Sequence, residues 1–446
     1  MGLAGLAMTA MSYAGARAPY AIDEVPAVGP LLKFENQSSR WGVEIGLRYS
    51  KTAFVGDDDT IADNIPMFYY EGERFFIRGT EAGVHLWNNE YMELDVFARY
   101  RFFDFPEEYD DWLERNVFDS GLRASWKLGE SSKISAEILT DKGGRIHGTL
   151  RLESEIHQGR WQINPLLEMR AKSADFNTRY YGLGKDSLGA GVDFRVAVQT
   201  RLHLWKNLHL HGSVEARMLD HEARRSDYVD GSMEYMAYVG FGFYEPIRKI
   251  GIETKRKTLD AKPYLRLSYG WGNDSTLAQI ISGDIRKENV TVDMVSLFYG
   301  HPLSDTLFDL PIQVYLTTGI LHHYSSAVQD SATEYVLGIK FYYTLPTPWR
   351  IRIGIAEGVS YMDSFTYYET ASLARKGKTP SRMLNYLDFS VDVNLGDVFK
   401  SKALEDLSLG YGIHHRSGIG GTSPTFGNIA GGSNYDSVYL QWSTKF

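Results

Sequence analysis

No cysteine occurs among the 446 residues. That excludes disulfides, thiolate metal sites and a cysteine nucleophile, and it suits a chain that crosses an oxidising periplasm. Long apolar runs are missing too: none approaches the ~18–20 residues that a membrane helix needs. That argues against a helical membrane protein. Basic charge is in deficit, with a formal net charge of −9, which argues against a nucleic-acid partner. Mean hydropathy is only −0.29. That low value leaves a β-barrel open, because barrel strands hide their hydrophobicity by alternating it.

What the chain does have follows that alternation. Trp41, Val43, Ile45, Leu47 and Tyr49 are separated by polar or small residues, as are Met92, Leu94, Val96, Ala98 and Tyr100. Val192, Phe194, Val196 and Val198 open a longer strand, whose hairpin partner starts at Leu208 across Lys206-Asn207. Period two is the signature of a strand with one oily face. The 29 Tyr, 22 Phe and 9 Trp suit interfacial girdles, and the 43 Gly suit tight turns and closely packed strands. The expected fold is all-β: an antiparallel transmembrane β-barrel of about twenty strands, about twelve before residue 245 and about eight after residue 262. Both numbers are even, as closure with both ends in the periplasm requires. Residues 245–262 are polar and basic, through Lys255, Arg256 and Lys257. They are too long for an ordinary periplasmic turn, which favours two adjacent barrels over one merged barrel.

Residues 1–16 read as an export signal: an apolar stretch from Leu3 to Met11, then small Ala14 and Ala16. No Lys or Arg precedes that stretch. The expected organisation is thus a signal at 1–16, one barrel over 30–244, a charged linker at 245–262 and a second barrel over 263–446. The expected location is the bacterial outer membrane.

Several stretches resemble the MipA/OmpV family of outer-membrane proteins. They are NIPMFYYEGERFFIRGTEAGVHLW (64–87), FDSGLRASWKLG (118–129), FNTRYYGL (176–183) and DFRVAVQTRLHLWKNLHLHGSVEARML (193–219). The resemblance covers roughly residues 30–244. It implies a barrel and, for some members, a scaffold for murein-processing enzymes, with no catalytic residue to transfer. The second half resembles the outer-membrane lipid A 3-O-deacylases, eight-stranded barrels with a Ser-His-acid site on the outer wall. Here His415-Arg416-Ser417 matches the His-x-Ser of that family's penultimate strand. Gly418-Ile419-Gly420 replaces the usual Asn-Ala-Gly, and the Glu that begins the last strand has Asp436 as its nearest counterpart.

Periodicity places this motif. Leu407, Leu409, Tyr411 and Ile413 share a face that continues into His415 and Ser417, while Val438, Leu440, Trp442 and Phe446 share one in the last strand. If Leu407 pairs with Phe446, Ser417 stands opposite Asp436 and His415 opposite Val438, all outward at the upper rim. Serine needs a base, and the base works best when oriented by a carboxylate. The expected roles are Ser417 as nucleophile, His415 as base and Asp436 as orienting acid. Glu357 is an alternative acid, outward by the parity of Ile351, Ile353 and Ile355. His414 and Arg416 are expected to contact lipopolysaccharide phosphates.

The acidic runs 57–59 and 107–111 read as solvated loops, and His322-His323 lacks a third ligand at useful spacing. No metal and no cofactor is expected. Three functions remain: a lipid A deacylase, a non-enzymatic scaffold or envelope-integrity barrel, and a passive pore. The partners they imply are lipid A or lipopolysaccharide, outer-membrane lipids and a periplasmic murein-processing enzyme.

Overall fold

The computed structural model describes residues 40–444, apart from 57–58, 90, 110–111, 113–115, 130, 246–257, 274, 276–278, 281–289, 291, 375–380 and 419–431. The expected signal at 1–16 and most of the 245–262 connection lie outside the described residues. Two closed antiparallel barrels stand side by side.

The first begins with β1 (Arg40–Lys51), β2 (Thr60–Glu71), β3 (Phe75–Gly79), β4 (Glu81–Asn88), β5 (Met92–Phe102) and β6 (Asn116–Leu128). It continues with β7 (Ser132–Asp141), β8 (Ile146–Ser154), β9 (Ile156–Gln158) and β10 (Trp161–Lys172). Then come helix α1 (Ala174–Tyr180), β11 (Gly191–Trp205), β12 (Leu208–Met218) and β13 (Met233–Tyr244). β13 returns to β1, and β8 and β9 act as one interrupted strand, both paired with β10. Twelve staves therefore close the wall, as the alternation predicts.

The second barrel has eight: β14 (Tyr264–Asn273), β15 (Asp293–Ser304), β16 (Ile312–His323), β17 (Ala332–Thr344), β18 (Ile351–Met362), β19 (Met383–Asn394), β20 (Leu407–Ser417) and β21 (Gly432–Ser443). Short helices α2 (Tyr367–Ala374) and α3 (Leu395–Phe399) sit in its connections. These helices and α1 are departures from the sequence reading, which found no helical period. Each is only one or two turns long, too short to print a 3.6-residue pattern.

The outer surfaces carry the oily members of each alternation. Leu47, Val196, Phe241, Leu267 and Ile355 are exposed, whereas their strand neighbours Arg48, Ala197 and Ala356 are buried. A wall of this kind needs hydrocarbon around it. Connections are short where β1 begins, as at Lys206-Asn207, and long where it ends, as at 103–115. That assigns the first end to the periplasm and the second to the outside. Glycine contributes by leaving room: the ring of Tyr264 lies over its cross-strand partner Gly300, where a Cβ would collide with it.

Trp41 and Val43 face outward on β1 yet are buried, because the second barrel covers them. With Phe68 and Ile77 they pack against Leu303, Leu307, Val314, Leu316 and Ile339. The contact is locked at the periplasmic rim. Trp205 stacks on Phe308 at 5.4 Å, Lys206 Nζ donates to the Phe308 carbonyl (2.9 Å), and the Phe308 N–H donates to Asn207 Oδ1 (3.1 Å). Phe308 and Asp309 adopt left-handed φ of 54° and 63° to present this turn, a conformation that packing has to hold for residues other than glycine. Tyr70 Oη and His301 Nε2 meet 3.2 Å apart across the same seam. Both periplasmic rims thus form one platform.

Among the described residues, side-chain clusters obstruct both lumens. Loops from around the first barrel converge at its outer end into one apolar cluster that includes Phe54, Phe103, Phe105, Phe176, Tyr181 and Leu219. Phe54 stacks on Tyr181 at 5.9 Å. Below this cap the wall is lined with ion pairs, among them Arg99–Glu137 (2.8 Å) and Arg195–Glu168 (2.6 Å). The second barrel is crossed from wall to wall: Arg266 on β14 pairs with Asp388 on β19 (2.7 Å), and Tyr342 on β17 donates to Gln441 on β21 (2.9 Å).

Candidate functional site on the outer wall of the second barrel

The register of the last hairpin differs from the sequence reading by four residues. Leu407 pairs with Trp442, so Ser417 stands opposite Gly432, His415 opposite Asn434 and Ile413 opposite Asp436. A pairing anchored on the chain terminus sets Leu407 opposite Phe446, whereas β21 ends at Ser443. A shift by an even number preserves the faces. His415, Ser417 and Asp436 therefore keep the outward parity of Leu409, Val438 and Leu440.

The new pairing gives His415 a different partner. Its Nδ1 lies 2.6 Å from Asn434 Oδ1. Asn434 Nδ2 donates to the Ser275 carbonyl (2.7 Å), which fixes the orientation of the amide. With Oδ1 thus facing the ring, His415 Nδ1 carries the proton and donates it. Nε2 is then the ring nitrogen with a free lone pair. Ser417 lies two residues along the same face, and no hydrogen bond joins it to His415.

Asp436 does not orient His415. Its carboxylate is buried and accepts from Asn273 Nδ2 (2.8 Å) and from the Tyr411 hydroxyl. Glu357 does lie in the His415 row, which runs Glu357–Leu387–His415–Asn434 across four strands. Two strand spacings, about 9–10 Å, separate it from the histidine, too far for a direct hydrogen bond.

The expected lipid contacts of His414 and Arg416 are corrected. Both point into the lumen, as their even positions between outward residues demand. His414 Nε2 meets Glu334 Oε1 at 3.0 Å, and Arg416 Nη1 donates to Glu369 Oε2 (2.5 Å) while its Nε donates to Ser360 Oγ (2.8 Å). Arg416 is fully buried and ties α2 down over the barrel mouth through Glu369. Burial pushes the Glu369 carboxyl above its ordinary range, and Arg416 opposes that shift. His323 joins the same cluster, 2.9 Å from Glu334. These two histidines and the arginine build the core of the barrel.

Sequence reasoning missed Asn434 because it sought a carboxylate and because the partner of His415 depends on register. It missed Glu334 and Glu369 because neither lies near His414 in sequence. Parity alone, however, places His414 and Arg416 inside.

Residues 43–244 match the family model described as MltA-interacting protein MipA. The "Putative outer membrane protein YiaT" of Escherichia coli K12 is 25% identical over 159 residues, 33% of this chain and 63% of that protein. The O157:H7 protein of the same name gives the same figures. The chain thus spans less than two thirds of the curated relatives it matches. Among solved structures, Pseudomonas putida OprB aligns over 92% of this chain and 94% of its own, with 9% identity and a TM-score of 0.24. The NanC porin aligns over 74% and 94%, with 7% identity and a TM-score of 0.17. Values this low support no inference about function.

Proposed function

We propose, from the premise that this is a bacterial outer-membrane β-barrel protein with a MipA-family domain at residues 43–244, that it acts as a scaffold for a periplasmic partner. One observation carries the reading: both lumens are obstructed, so the working surfaces are the outside ones. The clasp between Lys206-Asn207 and Phe308 supports it further, because a rigid double rim suits docking better than two independent ones. The partner class is a murein-processing enzyme, the role that the resemblance implies for some members of the family; the matching model is described as an MltA-interacting protein. Tagged protein purified from cross-linked envelopes should carry such an enzyme, with cross-links on the periplasmic turns of residues 43–244. No murein enzyme above an untagged control contradicts the proposal.

The His415–Asn434 hydrogen bond favours a second reading, ester hydrolysis at lipid headgroups. An amide at Nδ1 orients an imidazole without adding charge, as in Cys-His-Asn enzymes. Ser417 would then be the nucleophile, His415 Nε2 the base and Asn434 the orienting residue, in place of Asp436. Mass spectrometry of lipid A should show acyl loss with the wild type, slowed about 10³-fold or more by Ser417→Ala. Equal release by the two proteins eliminates this reading.

A further inference from the structure

We infer that the inner wall of the first barrel holds a divalent transition-metal ion near its periplasmic rim, between His85 on β4 and Glu93 and Asp95 on β5. The inference is independent of both readings above, and it departs from the sequence-based expectation that no metal binds. One nitrogen of His85 and one oxygen of each carboxylate lie within 4.8 Å of one another.

The strands aim these groups at one point. Glu93 and Asp95 are two apart and so share a face of β5. His85 stands opposite Asp95, and the register slips between His85 and Trp87. That bulge sends both Leu86 and Trp87 to the outer surface while His85 stays inward. His85 Nδ1 lies 2.7 Å from Asp95 Oδ1 and 3.5 Å from Glu93 Oε1.

Two features of the surroundings point to an ion. Asp95 is fully buried, and its Oδ2 accepts no hydrogen bond. Arg78 and Arg123 stand 3.8 and 3.9 Å from that oxygen. Their hydrogen bonds go elsewhere: Arg78 donates to Glu71 and Glu93, Arg123 to Glu81 and Glu137. Leaving a buried carboxylate oxygen dry costs free energy that a coordinated cation recovers. The other feature is the far side of the ring. His85 Nε2 lies 3.0 Å from Glu71 Oε1, and Arg78 holds that carboxylate by donating Nε to Oε2 (3.0 Å) and Nη2 to Oε1 (3.0 Å). A carboxylate on the distal nitrogen is how metal-binding histidines are oriented: it keeps the Nε2 proton and presents the Nδ1 lone pair. The ion then takes the place of the proton between Nδ1 and Asp95.

One imidazole and two carboxylates suit Zn²⁺, whereas Mg²⁺ and Ca²⁺ take oxygen alone. Glu71 ends β2 and Glu93 lies one residue into β5, both at the rim opposite the apolar cap, so exchange runs through the periplasm.

The test uses the tag-free full chain in neutral detergent, stripped with a chelator and titrated calorimetrically with Zn²⁺ and with Mg²⁺. The expected result is one Zn²⁺ per chain and no Mg²⁺ at the same concentration. Glu71→Gln, which touches the ring but not the ion, should weaken zinc binding about 10- to 100-fold. Glu93→Gln and His85→Gln should each weaken it further, while His221→Gln, exposed on an outer loop, should leave it unchanged. Unfolding midpoints without zinc separate a lost ligand from a lost fold. X-ray absorption of the zinc-loaded wild type, which needs no variant, should show one imidazole among oxygen neighbours. No zinc above a detergent blank, Mg²⁺ bound as tightly as Zn²⁺, a shell with no imidazole or with several, or wild-type affinity in Glu93→Gln and His85→Gln overturns the inference.

Discussion

Asp388→Ala is expected to destabilise the second barrel by about 3–5 kcal/mol. Asp388 is buried and accepts from Arg266 Nη2 (2.7 Å), from Lys340 Nζ and from the Tyr386 hydroxyl (3.2 Å). Arg266 and Lys340 are buried as well. Truncating the carboxylate removes the ion-pair partner of both buried cations and leaves Lys340 only the more distant Asp392, which Arg352 already engages. Desolvation of an unpaired buried charge costs several kcal/mol, far more than the net value of the pair. Urea unfolding in detergent micelles reads the loss as a lower midpoint with an unchanged slope. Replacing all three residues together, as Arg266→Met, Lys340→Met and Asp388→Leu, should recover most of it, because no charge is then stranded. A midpoint unmoved by Asp388→Ala would mean that water reaches the network.

The fold was legible because barrel strands write their faces into the sequence. Val192 to Val198 and Leu208 to Val214 alternate cleanly, and their hairpin closes at Lys206-Asn207 as expected, with Trp205 paired to Leu208. The two-barrel arrangement followed from even strand numbers and a long charged connection. Register was less legible. Periodicity fixes which face a residue takes but not which residue it meets, since any even slip leaves all faces unchanged. The pairing of Ser417 with Asp436 failed for that reason, while the outward direction of Ser417 stood.

Long-range partners were not legible at all. Glu334 reaches His414 across eighty residues, and Arg48 reaches Asp104 across fifty-six. Nothing local to either member marks such a pair. The apolar cap is hidden similarly: Phe54, Phe105 and Phe176 belong to separate connections far apart in sequence. Aromatic residues in loops otherwise polar are the one signal that points to it.

Whether the lumens conduct separates the scaffold from a pore. A twelve-stranded wall is wide enough to hold water if nothing fills its end. Here the apolar cap brings together residues from four connections, all of them buried. In the eight-stranded wall, Arg266, Lys340, Tyr342 and Tyr439 bond across the interior. An ion would have to enter past the cap or break a network whose members are mutually paired. Reconstitution of the purified full chain into planar bilayers tests this directly. The expected result is a current indistinguishable from that of protein-free membranes at moderate voltage, while steady ohmic steps of the size open barrels give would contradict the sealed double barrel.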